Sequence, residues 1–301
     1  MSAATLFADG PFVTDGGLET DLIFHHGIDL PEFASFPLLE DRAGREALDA
    51  YYDEYAAIAR AAGAGLLVET PTWRANPAWG PRVGYGREAL DRVNRAAVAF
   101  AREVQARAGV ARSLVVGILG PRGDGYVPGL WSDPDEAASH HADQVASFAA
   151  EGVDLVHAMT LTATEEAIGV VRAARSHALP VVVSFTVETD GRLPDGTSLA
   201  EAVARVDAVA APDRFGVNCA HPTHVAPALD GSGWQERVAV LRPNASTLTH
   251  AELDAMEELD EGDLGLLTSS VDRLRSQLPA LAAVGGCCGT DARHVGALWG
   301  V

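Results

Sequence analysis

Short apolar runs alternate along the chain with stretches of helical period. The first run, Pro11-Phe12-Val13-Thr14, ends at Asp15-Gly16-Gly17. Residues 45–62 repeat their apolar positions at three and four residues and stop at Gly63, the pattern of an amphipathic helix. Leu66-Leu67-Val68 is the second run, ending at Glu69-Thr70, and a long helical pattern covers 87–108. Leu114 to Ile118 is the third, ending at Gly120-Pro121. Asp133-Pro134 reads as an N-cap followed by proline at the first helical position, opening a helix to about Ala150. The second half continues the alternation. Strands are predicted at 153–156, 180–185, 215–217, 238–241 and 281–284, and helices at 164–176, 198–210, 264–277 and 291–298. Eight short strands with intervening helices predict an α/β chain folded as a single (β/α)8 barrel, one domain over 1–301. The competing open doubly wound sheet lacks its GxGxxG after the first strand. In a barrel the loops after the strands share one face, where active sites are built.

Composition narrows the function. Hydrophobic residues make up 48% and charged residues 21%, enough apolar side chain for a core. No uncharged apolar run is long enough to span a membrane, and residues 1–10 show no secretory signal pattern. The formal charge of −20 argues against nucleic acid as a partner, because an acidic surface repels phosphates. Every basic side chain is arginine, which excludes Schiff-base chemistry, a lysine-anchored pyridoxal cofactor and a P-loop lysine. Three cysteines are too few for a secreted disulfide scaffold, so a reducing, cytoplasmic location is expected. A homo-oligomer is compatible with this sequence.

The cysteines are the strongest chemical signal. Cys219 follows the sixth predicted strand, and Cys287 and Cys288 follow the eighth. Barrel topology brings both strand ends to one face, where three thiolates make a soft site that selects zinc and leaves a fourth position open. Read from spacing alone, two alternatives stand beside the metal: buried small hydrophobes, or a vicinal disulfide between Cys287 and Cys288.

Four segments then carry a resemblance: Asp15-Gly16-Gly17 with Thr20, GILGP at 117–121, GVNC at 216–219 and GGCCGT at 285–290. In order and spacing the chain resembles the homocysteine S-methyltransferase family over essentially its whole length. The resemblance implies a zinc barrel that methylates a thiol, with Cys219, Cys287 and Cys288 as the metal ligands and the substrate sulfur at the open position. It implies a sulfonium or ammonium methyl donor of the S-methylmethionine, S-adenosylmethionine or betaine type. It also places Asp15 and Gly16 at the homocysteine pocket. Asn218 is expected either to donate to a substrate carboxylate or to brace its loop.

One position departs from the family. Where many members carry a glutamate that holds the homocysteine amino group, this chain has Met159. Glu69, at the end of the second strand, is then the candidate to receive the ammonium, unless it merely pairs with an arginine such as Arg74. The departure opens a second reading, methylation of a different small thiol. A non-catalytic zinc- or thiol-binding barrel and a zinc hydrolase are the other readings. His221 and His224 lie near Cys219 without an assigned role. Trp73, Trp79 and Trp131 are read first as packing, and alternatively as a cation–π seat for a methylated cation.

Overall fold

The computed structural model describes residues 7–8, 10–127 and 133–301. Eight parallel strands close into a barrel in chain order. They are β1 (Phe12–Val13), β2 (Gly65–Glu69), β3 (Ser113–Leu119), β4 (Leu155–Leu161), β5 (Val181–Phe185), β6 (Arg214–Asn218), β7 (Val238–Arg242) and β8 (Ala283–Val284). The helices are α1 (Leu18–Phe24), α2 (Arg42–Ala62), α3 (Arg87–Arg107), α4 (Pro134–Glu151), α5 (Thr164–Ser176) and α6 (Leu199–Ala210). The single turn α7 (Pro222–Val225), then α8 (His250–Asp254), α9 (Leu264–Arg275) and α10 (Ala292–Trp299) complete the series. This is the (β/α)8 barrel expected from the alternation. Among the described residues, no helix is long and apolar enough to cross a membrane.

Several boundaries move for identifiable reasons. Helix α2 begins at Arg42 because the Asp41 carboxylate accepts from the Gly44 amide at 2.8 Å. Strand β4 continues to Leu161, past the apolar run at 153–156 and just beyond the end expected near Met159-Thr160, through a register shift between Ala158 and Leu161. Strand β7 includes Arg242, one residue beyond its apolar run. Helix α1 was not predicted: it is seven residues long and directly follows a Gly-Gly pair.

Alternation along each strand sorts side chains into two environments. Leu66, Val68, Val115, Val156, Val183, Val217 and Leu241 join the large apolar layer between sheet and helices. Phe12, Leu67, Val116, Leu155, Val182, Val240 and Ala283 fill the barrel interior as a separate cluster. Two residues further along the same inward faces, apolar side chains give way to polar ones. Glu69 follows Leu67, His157 follows Leu155, Ser184 follows Val182, and Arg242 follows Val240. The interior is therefore apolar below and polar at its C-terminal end, and that polar layer underlies the functional pocket.

Candidate metal centre and pocket

The C-terminal face holds a cavity of about 390 Å³ whose wall includes Asp15, Glu69, Met159, Asn218 and all three cysteines. Its base is assembled by backbone contacts among segments distant in sequence. The Gly286 amide donates to the Asp15 carbonyl at 2.8 Å, and the Gly17 amide to the Thr290 carbonyl at 2.9 Å. The Gly289 amide donates to Thr20 Oγ1 at 3.1 Å. The turn after β8 thus docks onto the turn after β1. Glycine is required at that junction: a Cβ on Gly285 would lie 2.1 Å from Thr14 Oγ1 and 2.5 Å from the Asp15 carbonyl oxygen.

The three sulfurs converge. Cys219 Sγ lies 2.7 Å from Cys287 Sγ and 3.6 Å from Cys288 Sγ. Thiol hydrogen bonds from Cys219 and Cys288, with the charge of Arg242, hold Cys287 well below the usual thiol range despite its burial. Hydrogen bonding to that sulfur, with burial, pushes Cys219 up. Two side chains face the cluster. Tyr126 Oη is 3.5 Å from Cys219 Sγ and 3.6 Å from Cys288 Sγ, and Asn218 Nδ2 is 3.7 Å from Cys287 Sγ. The ring of Tyr126 stacks on His250 with centroids 4.1 Å apart.

Strained backbone positions these groups. Cys219 and Thr160 both have positive φ, 57° and 60°, at the ends of β6 and β4. For a β-branched threonine this is a genuine outlier, of the kind that persists only where neighbours over-determine it. Asn218 does so: its Oδ1 accepts from the Thr160 amide at 2.7 Å, and its Nδ2 donates to Thr160 Oγ1 at 2.8 Å. Cys219 is held by its amide to the Arg242 carbonyl at 3.1 Å and by His250 Nε2 on its own carbonyl at 2.8 Å.

Beneath the sulfurs sits a buried charge cluster. Arg242, 4% exposed, is clamped between Asp15 and Glu69 and donates through Nε to the Gly286 carbonyl at 2.9 Å. Burial alone would lower its pKa, but Asp15 and its neighbours hold it raised. Burial raises Asp15 as well, against the opposing pull of Arg242. Glu69 thus has an arginine partner, though not Arg74. His157 lies 3.8 Å from Glu69 and 2.6 Å from Ser184 Oγ, and burial pushes its pKa down to about 3, so it is neutral.

The remaining candidates separate. His221 caps α7 by accepting from the Thr223 amide, and His224 contacts the Thr247 carbonyl at 3.0 Å. Trp73 and Trp79 cover Arg74, whose guanidinium carbon lies 4.2 and 3.4 Å from their ring centroids. Trp131 lies outside the described residues. The sequence reading missed Arg242, Tyr126, His157, His250 and Glu19. A charged or imidazole residue at an inward position of an apolar strand was a usable signal for Arg242 and His157. Loop residues such as Tyr126 offered none.

Glu19, on α1, lines the cavity and accepts from Ser35 Oγ at 2.7 Å. Burial pushes its pKa up to about 7 from an ordinary 4.5. The folded chain therefore binds a proton that the unfolded chain has released between these values, and stability falls as pH rises across that window. Glu19→Gln is expected to gain on the order of 2 kcal/mol over the wild type above pH 7 and nothing below about pH 4.5, once residual solvent is allowed for. Urea denaturation at pH 4.5 and pH 8 measures the difference.

Comparison with known proteins follows the geometry. The Escherichia coli homocysteine methyltransferase MmuM, in its metallated form, superposes with a TM-score of 0.75 at 21% identity, covering 99% of this chain and 98% of that one. Its oxidised form gives 0.75 at 22% identity, with 98% and 97% covered. At these identities the likeness establishes the barrel fold. Comparison with curated protein sequences gives no match. The family model described as homocysteine S-methyltransferase matches residues 12–299. By that match across nearly its whole length, the chain belongs to the homocysteine S-methyltransferase family and is an S-methyltransferase.

Proposed function

We propose that the chain moves a methyl group from a sulfonium or ammonium donor to the sulfur of a small thiol, by default homocysteine, giving methionine. In this reading Cys219, Cys287 and Cys288 hold a zinc ion. The observation that carries it is the convergence of three cysteine sulfurs, all within 4.8 Å of one another, on the wall of a cavity large enough for a small ligand. The donor set fits the ion: three soft ligands with a side-chain amide and a phenol beside them, the outer partners that fix a thiolate site. When bound, the ion supplies Lewis acidity that lowers the pKa of a thiol placed against it.

The chain's own residues do the rest. Asn218 and Tyr126 orient the sulfurs, and Asp15, Gly16, Glu69 and Arg242 form a rigid floor. Met159 forms an apolar wall. The acceptor thiol loses its proton to solvent. Its sulfur lone pair then forms the new bond to the methyl carbon as the bond from that carbon to the donor's onium atom breaks, leaving the donor neutral. Holding both reactants in line is the pocket's main contribution. Asp124, Asp254, Glu258 and Asp260 give the wall a negative field suited to a cationic donor. Met159 favours a second acceptor reading, a small thiol without the amino-acid head group. We place the protein, as one domain, in a reducing cytoplasmic setting that keeps its three free thiols reduced.

The test is direct. Zinc-loaded, reduced protein with homocysteine and each of S-methylmethionine, S-adenosylmethionine and betaine should form methionine with at least one donor, read by mass spectrometry. Failure with all three donors, together with transfer to a simple alkyl thiol, moves the acceptor to the second reading. No transfer to any thiol sinks the proposal.

A further inference from the structure

The charged groups of the cavity are unequally used. Asp15 and Glu69 share Arg242, so each already has a protein cation in contact. Glu19 and Arg74 line the same cavity, and among the described residues neither forms a salt bridge. Glu19 accepts from the Ser35 hydroxyl, which leaves its second oxygen without a side-chain donor. Arg74 is only 7% exposed, yet among the described residues its guanidinium makes one hydrogen bond, a long contact of 3.4 Å from Nη1 to the Gly123 carbonyl. Its Nε is buried with no acceptor. The two tryptophan faces immobilise the guanidinium without neutralising it. Asp124 and Glu19 oppose the effect of burial on its pKa, which settles at about 10, so it remains a cation at neutral pH. A buried cation without a carboxylate in contact is costly unless a ligand completes it.

A carboxyl and a guanidinium with no protein counter-charge in contact make the pocket complementary to a zwitterion, whose ammonium draws Glu19 to its ionised form. We infer that Glu19 and Arg74 together bind an α-amino-acid head group, Glu19 taking the ammonium and Arg74 the carboxylate, while the ligand's sulfur end reaches toward the three cysteines. The assignment rests on the thiol-methylation reading above. It gives the chain a head-group site that needs no carboxylate at Met159. Two ligands share this chemistry, the acceptor homocysteine and an amino-acid sulfonium donor such as S-methylmethionine.

Analogue binding to reduced, zinc-loaded protein, measured by calorimetry, tests it. Wild type should bind homocysteine roughly tenfold to a hundredfold more tightly than 4-mercaptobutanoate, which lacks the amine, and than 3-mercaptopropylamine, which lacks the carboxylate. Glu19→Gln should erase the first preference and keep the second. Arg74→Gln should do the reverse, and Arg74→Lys should restore part of the loss. Applying the variants to S-methylmethionine and dimethyl(propyl)sulfonium distinguishes the sources: loss confined to S-methylmethionine assigns the head-group site to the donor. Wild type that binds homocysteine and 4-mercaptobutanoate equally, with no head-group preference among the sulfoniums, overturns the inference without any variant. So does loss of the amine preference in Glu69→Gln but not in Glu19→Gln. Wild type that binds no thiol at all overturns the thiol-methylation reading itself, and the inference with it.

Discussion

Purified under reductant, Cys219→Ser, Cys287→Ser and Cys288→Ser proteins are each expected to lose most of their zinc and more than about 100-fold in methyl transfer. Removing an outer-shell partner of a metal site already costs roughly 10- to 100-fold, and a direct ligand should cost more. Serine nearly preserves volume but offers a harder, far less acidic donor, so the loss reports coordination and not packing. Metal content by plasma mass spectrometry and X-ray absorption, showing three sulfur neighbours in the wild type, measures the effect. A Cys288→Ser protein with full zinc would remove that residue from the ligand set. Nitrogen and oxygen neighbours in the wild type would remove all three.

Arg242→Met is expected to destabilise the fold by roughly 3–5 kcal/mol, because it leaves Asp15 and Glu69 buried without a counter-charge. Protonated carboxyls need no cation, so the deficit should shrink as pH falls through the range, raised by burial, in which Asp15 protonates. Adding Asp15→Asn and Glu69→Gln should recover part of the loss at neutral pH, since neutral amides do not carry the uncompensated charge. Urea denaturation of the single and triple variants gives the values. A single variant within about 1 kcal/mol of wild type at pH 7 would show that the cluster is not ionised as drawn.

The barrel was legible because its evidence is local: apolar runs separated by helical periods, each ending in a turn. The convergence of Cys219 with the Cys287–Cys288 pair was legible for a different reason. A closed parallel barrel sends every strand's C-terminal end to one face, so topology supplied a proximity that sequence distance hides. Glu69 was placed in the cavity wall, but its partner was not identified. Arg242 stands 173 positions further along (242 − 69), and the predicted seventh strand stopped at Leu241, one residue short of it. The left-handed backbone at Thr160 and Cys219 left no trace in residue type, since neither position is glycine or asparagine. The importance of Glu19 emerged only once α1, too short for a periodic signal, was seen to carry it to the cavity.

The ring closes where it is thinnest. β1 and β8 are two residues each, joined by the pairs Phe12–Ala283 and Val13–Val284. The contacts from the Asp15 turn to the 285–290 turn lie directly above this seam, and two of the three converging sulfurs belong to it. A ligand joining Cys219 to Cys287 and Cys288 would therefore act as a clasp on the closure of the whole cylinder. Backbone amides of β1 and β8 should exchange with deuterium faster than those of β4 and β5 in the empty protein and slow when the clasp is fastened. Occupancy of the site would then be readable from the melting temperature alone, which makes a simple thermal-shift plate a screen for metals, acceptors and donors that needs no turnover.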